Sequence, residues 1–214
     1  MSFAEPVYRL IDYCSTGGVV MIPLALDSIV LWVLIFDRVI FFRRLYRKNM
    51  DLHTAIEHIR ENRLPDPERY RGIVSMLVAE FISGRSGSVR TDKLVLDETV
   101  MRMEQLLSAN LSMVGVFAAV APLLGLLGTV LGMVNTFDVL AIHGTGNPKA
   151  VAGSISEALI TTQTGLMIAI PGMYMKTILE RRAGILKQRV AAAAFYIKRH
   201  LPTILHDTCA ADGT

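Results

Sequence analysis

Cysteine is almost missing from this chain of 214 residues: Cys14 and Cys209 lie close to opposite ends and have no metal-ligand neighbours. Neither a disulfide framework nor a thiolate metal site follows. Catalytic signatures are missing as well. His53, His58, His143, His200 and His206 include no H-x-x-x-H pair, and there is no P-loop, no G-x-S-x-G and no dinucleotide fingerprint. No catalytic residue, metal or cofactor is expected, and the histidines read as solvated. Charge is sparse. The net value is +3, and the basic residues form no arginine-rich or aromatic-interleaved strip, which argues against a nucleic-acid partner. The longest absence is of ionisable side chains: none stands among the 33 residues between Glu104 and Asp138, a stretch longer than one bilayer crossing needs.

What is present is apolar. Hydrophobic residues make up 52% of the chain and mean hydropathy is +0.43, above the roughly 45–50% apolar content of soluble domains. A membrane protein is the expectation. Residues 1–17 contain one basic residue, Arg9, and no small-residue cleavage site follows the first apolar run, so that run is expected to stay in the mature protein. It covers 18–42, roughly 37 Å as a helix against a hydrocarbon core of ~30 Å, and ends in the basic and aromatic stop Arg43-Arg44-Leu45-Tyr46-Arg47-Lys48. Asp27 stands within this run. It precedes Arg43 by about 24 Å of helix, which puts it near the outer headgroups, and it reads as a solvated interfacial carboxylate.

Residues 43–110 turn polar and read as helical segments: Asp51–Asn62, a break at Arg63-Leu64-Pro65-Asp66-Pro67, Arg69–Ser83, then a turn over Gly84–Ser88. Thr91 is placed to cap a long helix that runs without interruption into a second span, 111–137. Residues 138–153 form a hinge with His143-Gly144-Thr145-Gly146-Asn147-Pro148 as its turn, and 154–175 form a third span. Residues 176–214 open with Lys176, Arg181, Arg182, Lys187 and Arg189 and continue a helix until Pro202. Twelve basic residues lie in 43–110 and seven from 176 onward, against one in 1–17 and one in the hinge. The positive-inside rule therefore orients the chain with its N-terminus and hinge outside, and its loop and tail in the cytoplasm. The fold class is an all-α membrane protein with three spans, N-out and C-in, extended by cytoplasmic helices. No internal repeat is present.

The second and third spans each carry a stripe of small and polar residues. Gly125, Gly128, Thr129, Gly132 and Thr136 fall at helical steps, and Ser154, Ala158, Thr161, Gly165, Ala169 and Gly172 repeat the pattern, with Glu157 and Thr164 at one edge and Thr162 at the other. Plain helix packing explains small residues, and threonine can bond its own backbone carbonyls. A pore, or a cavity for another helix, explains why Thr129, Thr136, Thr161, Thr162, Gln163 and Thr164 all lie within two spans, since polar groups in lipid need partners or water. Pro122 and Pro171 are expected kinks, each leaving a carbonyl without its amide donor, at Ala118 and Met167. One element is missing from a proton path: the two stripes hold no deep carboxylate, and Glu157 lies near the outer end of its span.

The ordered pair APLLGLLGTVLGMVNTF (121–137) and SISEALITTQTGLMIAIPG (154–172) resembles the ExbB/TolQ/MotA family of bacterial inner-membrane motor subunits. The motif match covers spans two and three; span one and its loop agree in length, polarity and topology. Three spans with a large first loop resemble the ExbB/TolQ branch, because the flagellar stator branch has four. The Thr161-Thr162-Gln163-Thr164 run is a departure, since the best-known members place small apolar residues beside the threonine. The resemblance implies a pentamer whose second and third spans line a pore. That pore would enclose two copies of a single-span ExbD/TolR-like partner, which carries a proton-binding intramembrane aspartate, and the complex would drive a TonB/TolA-like periplasm-spanning protein. By motif position the pore threonines are Thr129 and Thr162 and the outer acidic residue is Glu157; Thr136 and Thr161 join them as pore-lining candidates. A passive helical scaffold that organises partner proteins is the alternative. A small-solute transporter is disfavoured, because no inverted repeat and no discontinuous helix pair supplies a site.

Overall fold

The computed structural model describes residues 17–46, 50–66, 70, 72–143 and 148–211. The regular elements among them are helices: α1 Met21–Tyr46, α2 Leu52–Arg60, α3 Ile73–Gly84, α4 Val89–Ser108, α5 Leu111–His143 and α6 Pro148–Ala211. They form two compact units, Met1–Phe36 with Asn110–Thr177, and Asp37–Ala109 with Ile178–Thr214.

The first unit is built from the apolar parts of α1, α5 and α6. On α1 the inward residues Leu24, Asp27, Leu31 and Ile35 recur at steps of three and four, so they form one stripe, while Ile22, Leu26, Ile29, Val33 and Phe36 remain exposed. Leu24 packs with Val20 and Met21 against Leu124 of α5 and Ile168 of α6. Asp27 therefore departs from the expected solvated carboxylate. It is only 6% exposed and its Oδ2 has no hydrogen-bond partner, because it occupies the inward face of α1. The stretch Val89–Ile142, which α4 and α5 make up, holds an apolar window long enough to cross a membrane, the only such window among the described residues. Only 28% of that window is buried, whereas a core helix of a soluble domain would be largely enclosed.

Two boundaries differ from the sequence expectation. The long helix is interrupted at Ala109–Asn110, where Asn110 adopts φ +60, a left-handed conformation that asparagine tolerates better than most residues. At the other end Pro202 does not stop α6. The 64-residue helix runs on to Ala211, and it also passes uninterrupted through Pro171, as α5 does through Pro122. Helix extends to His143 and resumes at Pro148, which narrows the expected hinge; 144–147 of its turn lie outside the described residues.

The second unit is a polar helical assembly with its own core. Leu179, Ala183, Leu186, Val190, Ala193, Ile197 and Leu201 recur on one buried face of α6, and Ala55, Ile59, Leu77, Phe81, Leu96 and Met103 are buried on α2 to α4. Helix α4 begins at Val89 with Ser88 at its N-cap, ahead of the expected Thr91, and Ser88 makes no side-chain cap bond. Asp92 does the equivalent work from the first turn. Fully buried, it accepts from the Ser86 amide (2.8 Å), the Ser86 hydroxyl (3.1 Å) and Arg85 Nε (3.2 Å). Arg85 Nη1 also donates to the Ile59 carbonyl in the last turn of α2 (2.7 Å). At the other end of α4, the buried Arg38 guanidinium donates to Leu106 O at 3.4 Å, a carbonyl that the helix end leaves without a regular partner, and lies over the Phe41 ring. His58 and His200 are half-buried against Tyr70 and Tyr196, so the expectation of fully solvated imidazoles holds for neither.

Candidate pore wall at the α5/α6 seam

The two small-residue stripes meet each other within one chain. A β-carbon on Gly125 would stand 3.1 Å from Thr162 Cα, one on Gly132 would stand 2.6 Å from Ala158 Cβ, and one on Gly165 would stand 2.6 Å from the Ala121 carbonyl. Gly128 faces the Thr161 side chain with no room for any added atom. Gly172 faces Ala118 and Leu31, and Ala169 is buried beside this seam. At Gly125, Gly128, Gly132 and Gly165 close approach requires glycine, since a methyl group would meet the facing backbone or the β-branched Thr161; at Gly172 it would meet the Leu31 side chain and the Ala118 β-carbon.

The hydroxyls divide into those covered by the seam and those at its edges. Thr136 and Thr161 are buried and donate to carbonyls of their own helices, Gly132 and Ala158, at 2.8 Å each. Thr162 is half-buried. Its Oγ1 lies 3.2 Å from both Ala158 O and Gly125 O, so its one hydrogen can bridge to the facing helix. Thr129, at the edge of the α5 stripe, is half-buried and donates to Leu126 O at 2.7 Å; Thr164 donates to Ile160 O at 2.8 Å. Asn135 and Gln163 are exposed.

Glu157 is half-buried near the start of α6, and its carboxylate lies against Gly18, which leads into α1 with φ +66. A side chain at Gly18 would collide with that carboxylate, and the first-turn amides of α1 favour a negative charge beside them. Gly18 is not among the residues that the sequence pattern singles out. The signal available was a Gly17-Gly18 pair at the start of an apolar run, which does not identify what the glycine faces. Asp27 shares a face with Leu24 and Leu31 by spacing, but which face of α1 is covered is set by α5 and α6 and not by α1 itself.

The long apolar helix, its low burial and the small-residue seam fit a membrane protein that is helical throughout its described regular elements. The sequence pattern described as the MotA/TolQ/ExbB proton channel family matches residues 71–192. The chain belongs to that family. It is 34% identical over 186 residues to an ExbB-like biopolymer transport protein of Synechocystis, spanning 83% of this chain and 73% of the relative. It is 29% identical over 189 residues to the biopolymer transport protein ExbB of Salmonella typhimurium, covering 82% and 77%. The ExbB of Aquifex aeolicus is 34% identical over 95 residues, covering 44% and 64%. These relatives are transport proteins rather than enzymes.

Proposed function

We propose that the chain is an inner-membrane subunit of an ExbB/TolQ-like motor, which couples proton entry to mechanical work on a periplasm-spanning partner. Its three spans are α1 before the basic stop, α5, and the first part of α6, with the N-terminus outside and the tail in the cytoplasm. Five copies surround two ExbD/TolR-like helices, whose aspartate carries the proton. The observation that carries this reading is the seam with Thr129 and Thr162 at its edges, in a chain whose family is that of proton channels. Thr129, Thr162 and Glu157 line the path. Thr136 and Thr161, both buried, stand behind it, Thr161 against Gly128 of α5. A proton crossing the membrane releases ~2.3 kcal/mol per 100 mV, the supply from which the work is drawn.

Thr129→Val together with Thr162→Val is expected to abolish energy transduction while the complex still assembles. Full activity in the double variant overturns the pore role. A second reading, a passive scaffold, draws on the fact that Thr136, Thr161 and Thr164 donate to carbonyls of their own helix, which packing alone would need. Proton flux that depends on the membrane potential separates the two, because a scaffold carries none. Native mass measurement of the purified complex tests the five-to-two stoichiometry.

A further inference from the structure

Asp27 is a titratable side chain that the proposed path does not use. It is 6% exposed, its Oδ2 has no partner, and it stands between two contacts that α1 makes with both other helices of its unit. On one side Leu24 meets Leu124 and Ile168; on the other, Leu31 meets Gly172 beside Ala118. Among the described residues, no hydrogen bond reaches its Oδ2. From α5 no ionisable group faces it, since none exists from Leu111 to Phe137 and Asp138 is exposed beyond. From α6, Glu157 lies against Gly18, about 13 Å along α1 from Asp27, and Lys176 lies against Gly115. On α1 itself the next charges, Asp37 and Arg38, come ten and eleven residues later.

A carboxylate oxygen buried without a donor is costly, and the smallest partner that satisfies it is a proton. Binding one turns Oδ2 from an orphan acceptor into a donor, which a carbonyl freed from its helical amide would accept. Pro122 leaves the Ala118 carbonyl without its helical amide, and Ala118 flanks the contact of Leu31 one turn from Asp27. We infer that Asp27 is a proton-binding site supplied by this chain itself, forming and breaking one O–H bond on its carboxyl beside α5 and α6 during the cycle. The inference rests on the proposed proton-channel reading. It makes Asp27 a further carboxyl of the cycle, additional to Glu157 and to the one the partner contributes.

The test is infrared spectroscopy of the full complex in liposomes, recorded as difference spectra between pH values, with proton flux followed in the same vesicles. A titrating carboxyl C=O band is expected that vanishes in Asp27→Asn and moves to the glutamate frequency in Asp27→Glu. Flux is expected to fall at least about tenfold in Asp27→Asn and to recover in part in Asp27→Glu, as for a proton relay group. If no band distinguishes wild type from Asp27→Asn, the site is overturned; if the band is lost but flux stays unchanged, the role in the cycle is overturned. Should Asp27→Asn fail to assemble, Asp27→Glu decides alone, because an unmoved band rules the site out. Wild-type complex that carries no flux yet shows the Asp27 band would overturn the channel reading and leave the binding site standing.

Discussion

Gly165 and Gly184 lie on the same helix, and their surroundings give them opposite mutational signs. At Gly165 a methyl group would press on the Ala121 carbonyl and the Gly125 backbone, neither of which is a flexible chain end able to yield. Gly165→Ala is expected to cost about 1–3 kcal/mol, the usual penalty of overpacking. At Gly184 the same methyl meets nothing within 4 Å, and helix propensity then favours alanine by up to about 1 kcal/mol. Thermal denaturation of the purified complex is expected to move down for the first variant and up, or not at all, for the second. Equal effects would mean that the seam at Gly165 is looser than its distances indicate. The small residues at three- and four-step spacing made this seam legible in the sequence, because few other patterns let two helix backbones touch. Asp27 was illegible for the opposite reason: depth along a helix is readable from a distance to the basic stop, whereas burial depends on which face the neighbours cover.

At the scale of elements, the turn between α3 and α4 hangs on one ion pair. Asp92 is fully buried and Arg85 is 9% exposed in its side chain, and together they gather the Ser86 amide, the Ser86 hydroxyl and the last-turn carbonyl of Ile59. Removing one member leaves the other charged, buried and unpaired, so Asp92→Ala is expected to destabilise by about 3–5 kcal/mol. The exposed Asp97–Lys198 pair, at 2.7 Å, is worth at most about 1 kcal/mol, and Asp97→Ala should be close to silent. Hydrogen exchange on the full chain checks both: protection in α2 to α4 should fall in Asp92→Ala and persist in Asp97→Ala. The Gly84–Ser88 turn was readable from its composition. The closing of that turn by Asp92 was not, because the carboxylate reaches back from inside the helix rather than from the cap position. The break at Ala109–Asn110 was hidden for a related reason: apolar periodicity continues across it, and only the backbone of Asn110 departs.

The whole molecule raises a question of sidedness, and the chain carries its own probes for it. Charge distribution fixes the proposed topology: basic residues crowd 43–110 and the tail, and are nearly missing before the first span and between the second and third. An odd number of crossings then puts the two ends on opposite sides, with Cys14 outside and Cys209 inside, and the sequence has no other cysteine. In cells with a permeabilised outer membrane, a membrane-impermeant maleimide is expected to label the Cys209→Ser variant, through Cys14, and to leave the Cys14→Ser variant unlabelled until the inner membrane is disrupted. Labelling of both variants in intact cells would require an even number of crossings with both ends outside, and labelling of neither would place both ends inside. Either result would break the three-span arrangement, and with it the placing of Glu157 at the outer end of the third span and of Asp27 toward the outer end of the first.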